Sequence, residues 1–103
     1  MERIALLKEV LAGDPNNVLA RYGLAMEYSK SGETDAALAE FNALIAANPG
    51  YVAAYQQGAQ ALVNAERFEE AKELLQRGMA AAESAKNPHA RSEMEMMLDE
   101  ISR

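Results

Sequence analysis

The sequence predicts an all-α fold in which about six helices stack as antiparallel pairs. Three observations carry that prediction. The chain repeats itself at a separation of 34 residues, with Asp14-Pro15 recurring as Asn48-Pro49. Its apolar residues recur at helical rather than strand spacing. Half of the 103 residues are apolar, with two Phe, four Tyr and no Trp, and the Ala- and Leu-rich remainder suits closely packed helices.

The elements follow in order. Residues 2–12 place Ile4, Leu7, Val10 and Leu11 on one face, and Gly13-Asp14-Pro15 ends the run. Shifted by the period, these residues meet Leu38, Phe41, Leu44 and Ile45, so residues 2–15 read as the second half of a unit that caps the next one. Residues 18–31 and 34–47 form a pair joined at Ser31-Gly32-Glu33, where Gly32 suits the left-handed conformation of a tight interhelical turn. Residues 51–64 and 67–86 form a second pair. Its turn holds Ala65-Glu66, and a non-glycine residue at positive φ costs roughly 1–2 kcal/mol, so a different turn geometry is expected there. The next Asn-Pro, at Asn87-Pro88, comes five residues after the position the period assigns to it, which predicts that the preceding helix is longer by about a turn. Asn87 then caps and Pro88 starts a final helix. The resulting division is a half-unit at 2–15, repeats at 18–51 and 52–86, and a closing helix at 87–103.

Superposing residues 18–51 on 52–85 pairs Ala25 with Ala59, Tyr28 with Leu62, Ala37 with Ala71, Phe41 with Leu75 and Ile45 with Met79. Two small residues thus recur where paired helices would cross, and larger ones where one pair meets the next. The pattern Leu24, Ala25, Tyr28, Gly32, Ala37, Phe41, Pro49, repeated as Tyr55, Ala59, Leu62, Phe68, Ala71, Leu75, resembles the tetratricopeptide repeat. This chain departs from that pattern at Arg21, Thr34, Gly58, Glu66 and Gly78. The resemblance implies a right-handed superhelix of antiparallel helix pairs acting as a scaffold for peptides or proteins.

Composition narrows the function further. The net charge is −6, with four basic and seven acidic groups in residues 1–50 and six and nine in residues 51–103. Neither half offers the clustered cations that nucleic acid binding needs. There is no cysteine and so no disulfide or thiolate chemistry. No signal-peptide pattern and no membrane-length apolar run is present, so a cytoplasmic protein without a membrane partner is expected. Catalysis has no support: one histidine, no paired base and nucleophile, no phosphate-cradling glycine loop and no zinc motif. No cofactor or metal is expected.

The resemblance implies a concave surface lined by the first helix of each unit. Carried over by position, the groove residues are Leu19, Tyr22, Met26 and Ser29 in the first unit, and Ala53, Gln56, Gln60 and Val63 in the second. That groove is neutral, with Lys30 and Asn64 at its rim, and fits an apolar or amphipathic segment better than an acidic C-terminal tail. Packing of Leu19, Met26 and Val63 against the terminal helices is the plainer alternative. Gly23, Gly58 and Gly78 lie inside predicted helices, where each costs about 1 kcal/mol relative to Ala and close helix approach is the common reason. Met94 and Met97 share a core spacing with Leu98 and Ile101, whereas Met96 points elsewhere. A self-association face at Met94, Met96, Met97 and Ile101, giving a homodimer, is therefore the alternative mechanism. His89 reads as solvated, and Glu66, Glu69, Glu70 and Glu73 as a solvated face supported by pairs such as Glu73 with Arg77.

Overall fold

Helix boundaries follow from local capping chemistry. The computed structural model describes residues 2–103 and shows α1 (Glu2–Gly13), α2 (Val18–Lys30), α3 (Thr34–Ala47), α4 (Val52–Asn64), α5 (Phe68–Ser84) and α6 (Pro88–Ile101), with no strand among the described residues. Asn17 Oδ1 accepts from the Ala20 N–H at 2.9 Å and Asn87 Oδ1 from the Ala90 N–H at 3.1 Å, each satisfying a helix-start donor that has no intrahelical partner. Pro88 sits at the start of α6, where its missing N–H is harmless. α5 has 17 residues against 14 in α3, and Ala85 and Lys86 stand between its end and Asn87, whereas Asn48 follows α3 directly; together these account for the late Asn-Pro.

The expected change of geometry at Ala65-Glu66 does not occur. Glu66 adopts φ 59° and Lys86 φ 57°, beside 78° at Gly32. The same pair of hydrogen bonds closes all three helices: Gly32 to Ser29 and Glu33 to Tyr28, Glu66 to Val63 and Arg67 to Leu62, Lys86 to Glu83 and Asn87 to Ala82, at 2.8–3.1 Å. Each turn thereby satisfies carbonyls that α2, α4 and α5 would otherwise leave open. The strain of a side chain at positive φ is tolerated because packed helices on both sides dictate the turn.

Consecutive helices pack on one another along the whole chain. In addition the backbones of α2 and α4, and of α4 and α6, come close together, whereas those of α1, α3 and α5 do not approach one another. The stack therefore curves with α2, α4 and α6 on its inner, concave face, in a body of 41 × 28 × 18 Å. Ala25, Ala37, Ala59 and Ala71, the recurring small residues, are completely buried, as are Phe41, Leu75 and Met94. Two glycines serve close approach: a Cβ on Gly58 would lie 2.9 Å from Leu74 Cδ2, and one on Gly78 would lie 2.6 Å from Met94 Sδ and 2.7 Å from Tyr55 Cβ. Gly23 differs, since a Cβ there would meet only the Leu7 side chain at an ordinary 3.5 Å.

Arg21, which breaks the repeat pattern, preserves a contact by other means. Tyr55 donates its hydroxyl to the Pro49 carbonyl at 2.7 Å, and Arg21, one period earlier, donates a guanidinium N–H to the Pro15 carbonyl at 2.9 Å. Arg21 also holds Glu40 at 2.7 Å, tying α2 to α3. Arg67 binds Asp35 at 2.6 Å and Glu70 at 2.9 Å, linking the start of α3 to that of α5. The hydrogen bond from Arg67 holds the Glu70 carboxyl below its ordinary pKa. The expected Glu73–Arg77 pair is absent: Arg77 lies over the Tyr55 ring, 5.7 Å from its centroid.

Relief of the two strained turns is measurable. Glu66→Gly and Lys86→Gly should each stabilise the fold by about 1 kcal/mol, raising the melting temperature by about 4 °C or more per substitution. A lowered melting temperature in either variant would contradict the left-handed assignment. The glycines should diverge in the same assay: Gly78→Ala destabilises by about 1–3 kcal/mol through overpacking, whereas Gly23→Ala is neutral or stabilising by up to about 1 kcal/mol.

Candidate functional site

On the concave face, α4 and α6 diverge enough to leave a cleft of about 760 Å³. From α4 come Gln56, Gln60 and Val63, spaced so that they form one stripe. From α6 come His89, Glu93, Met96, Met97, Glu100 and Ile101. Val63, Met97 and Ile101 are half-buried against the core, and Met96 projects beyond them with 69% of its surface exposed. The floor of the cleft is thus aliphatic and thioether, and its edges are polar.

The residues assigned to one groove divide between two places. Gln56, Gln60 and Val63 line the cleft. Leu19, Tyr22, Met26 and Ser29, all on α2, lie outside it. Tyr22 sits edge-on to Phe41 at 6.2 Å and beside Tyr51 at 5.8 Å between ring centroids. Burial, with Tyr51 alongside, raises its phenol pKa above the ordinary value and keeps it neutral. Met26 also packs on the core, whereas Leu19 is 81% exposed. Met26 and Val63 thus pack partly on the central core, and Leu19 does not.

The α6 set divides as well. Met94 is fully buried and seated against Gly78, so it is not available to any second molecule. Its assignment to a self-association face is corrected on that ground. Met96, Met97 and Ile101 line the same cleft as the α4 residues, so the expected peptide groove and the expected self-association face are one surface.

The cleft also departs from the expected neutral groove, because α6 contributes two carboxylates. Glu93 Oε1 accepts from Gln56 Nε2 at 3.2 Å, while its Oε2 lies 3.5 Å from Nε2 of the exposed His89. Glu100, seven residues further on, has no hydrogen-bond or ion-pair partner among the described residues. No Lys or Arg lines the cleft. Gln60 donates to Asn64 at 2.9 Å, and Lys30 lies 3.9 Å from Glu27, so the rim groups that would face an acidic tail are engaged elsewhere. Glu93, Met96, Met97 and Glu100 follow the i, i+3, i+4, i+7 rule of a helix stripe. That signal is present in the sequence, where residues 87–103 read as a closing helix rather than as a groove wall.

Layered helix pairs with a concave cleft define a helical-repeat scaffold. A tetratricopeptide repeat family model matches residues 4–58 and 28–92, and the chain belongs to that family. Such repeats are protein-interaction scaffolds. Among solved structures, the chain is similar to a protein of Bordetella parapertussis, with 26% identity and a TM-score of 0.84 over 97% of this chain and 87% of the other. It is similar to a tetratricopeptide repeat domain protein of Salinibacter ruber, with 26% identity and a TM-score of 0.77 over 85% and 89%. The TPR2B domain of yeast Sti1, solved as a complex with pHsp70, shares the fold at a TM-score of 0.86 and 20% identity, over 96% of this chain and 79% of the other. No curated protein sequence matches the chain.

The two methionines on opposite sides of α6 should separate structure from site. Met94→Ala should cost about 2–4 kcal/mol in urea unfolding, and Met96→Ala should stay within about 0.5 kcal/mol of wild type. Comparable losses would place Met96 in the core instead.

Proposed function

We propose that this chain is a non-enzymatic module that binds a partner protein by docking an amphipathic segment in the α4–α6 cleft. The observation that carries the reading is the convergence of half-buried Val63 from α4 with half-buried Met97 and Ile101 and exposed Met96 from α6 in one open cleft of about 760 Å³. A fully buried Met94 and the Gly78 contact hold α6 rigidly in place, so the cleft is preformed and binding loses little to ordering of its walls. Within this reading, residues 18–51 and 52–86 are the two repeats, 2–15 covers the first and 87–103 forms the outer wall of the site.

Methionine suits such a floor because its flexible thioether adapts to apolar side chains of different shape. With no cation lining the cleft, an acidic C-terminal tail is a poor ligand. The competing reading, a homodimer through α6, has the exposure of Met96 in its favour. A twofold contact there would also bring the Glu93 and Glu100 edges of the two copies together, and like charges across an interface oppose association. No helix of the described residues is long and apolar enough to cross a membrane.

The experiment is comparative capture from cell lysate with wild type, Val63→Glu/Met96→Glu and Leu19→Glu as baits, read by mass spectrometry. Proteins retained by wild type and Leu19→Glu but depleted about tenfold or more by the cleft variant are the expected result. Equal retention by all three baits, with circular dichroism confirming unchanged helicity, would remove the cleft from the function.

A further inference from the structure

The chemistry of the cleft says more about its occupant than apolarity alone. Along α6 the stripe reads Glu93, Met96, Met97, Glu100: two apolar side chains bracketed by two carboxylates. Seven residues of helix separate the carboxylates by about 10.5 Å along the axis. Glu93 is steadied by Gln56 from the opposite wall, and Glu100 has no partner among the described residues. The cations nearest in sequence do not answer these charges: Arg103, three residues after Glu100, forms no ion pair among the described residues. Arg91 lies 3.7 Å from Glu83 and 3.5 Å from Glu95, and neither of those glutamates lines the cleft. His89 is the one basic group among the lining residues. An apolar occupant without compensating charge would bring its surface against carboxylates that must keep their water, whereas an occupant carrying cations at both ends of its apolar stretch satisfies them.

We propose that the α4–α6 cleft selects a cationic amphipathic helix, with Lys or Arg at positions i and i+7 and large apolar residues at i+3 and i+4. Laid along α6, such a helix sets its apolar pair on Met96 and Met97, with Val63 and Ile101 completing the floor, and its two cations at Glu93 and Glu100. The match in spacing arises because both helices share one rise per residue. The amide oxygens of Gln56 and Gln60, whose Nε2 groups donate to Glu93 and Asn64, add acceptors on the α4 wall. The inference rests on the docking reading above and adds to it the sign and the spacing of charge on the partner.

The test uses fluorescein-labelled 16-residue helical peptides built on Lys-x-x-Leu-Leu-x-x-Lys, with one version carrying Glu for Lys and another Ser for Leu, titrated into the full chain by fluorescence anisotropy. The lysine–leucine peptide should bind, and both altered peptides should bind about tenfold or more weakly. Glu93→Lys/Glu100→Lys should lose the lysine–leucine peptide by a similar factor and gain the glutamate version. Glu2→Lys/Glu9→Lys, which changes net charge equally on the remote helix α1, should bind within about twofold of wild type. An equal loss in the remote variant would reduce the effect to bulk charge and overturn the proposal. Equal binding of the lysine and glutamate peptides would overturn the charge selection and leave apolar docking intact. No binding of the lysine–leucine peptide at up to about 1 mM would overturn the selection as well, while the capture experiment above judges the docking reading separately.

Discussion

Close approach of helix backbones at residues with little or no side chain is the constraint on which the rest of this molecule depends. Four fully buried alanines, Ala25, Ala37, Ala59 and Ala71, recur in the paired helices, and Gly58 and Gly78 carry the same device further along the stack. Gly78 matters most to the shape of the cleft. The space where its Cβ would stand is filled from two sides by Tyr55 of α4 and Met94 of α6, and the mutual placement of those two helices is what shapes the cleft. A buried contact of this kind has few alternative arrangements in a close-packed interior, so the cleft inherits its rigidity from a glycine outside its lining.

Much of the fold was legible in the sequence because the repeat supplies the same information twice. The buried pairs Ala25/Ala59 and Phe41/Leu75, the longer α5 and the start of α6 at Asn87-Pro88 all follow from alignment of one unit on the next. The turn at Glu66 was not, since propensity assigns a cost to a left-handed glutamate and says nothing of two packed helices that dictate the turn. Arg21 likewise looked like decay of the pattern. In the structure it performs at Pro15 the hydrogen-bonding role that Tyr55 performs at Pro49, with a longer side chain and a charge that Glu40 answers.

The site was legible only in part, for a physical reason. Positions on α4 carried over because that helix sits in register with the repeat, so Gln56, Gln60 and Val63 were recognisable as groove-facing. α6 follows a lengthened helix and lies out of the simple period. Helical spacing set Met96 apart from Met94 and Met97, but the self-association face was assembled from apolar residues only, which passed over Glu93 and Glu100. That face included Met94 despite its core spacing, and the structure seats it against Gly78, on the opposite side of the helix from Met96. Sequence distinguishes the two faces of an isolated helix but not which neighbour each face meets.

The proposed selectivity of this cleft rests on charge and apolarity together. In the proposed docking its floor would supply hydrophobic contact, its two carboxylates would penalise occupants of the wrong sign, and preformed walls would limit the entropy lost on binding. The most direct measurement is a 13C-methyl methionine NMR titration of the intact chain with the lysine–leucine peptide. Five methionines in the described residues report on separate places: Met26 on α2, Met79 on α5, Met94 in the core, and Met96 and Met97 on the cleft floor. The account predicts saturable shifts at Met96 and Met97, with Met26 and Met79 unmoved. Saturable shifts centred on Met26, with Met96 and Met97 unchanged, would place the docking surface on α2 and contradict it.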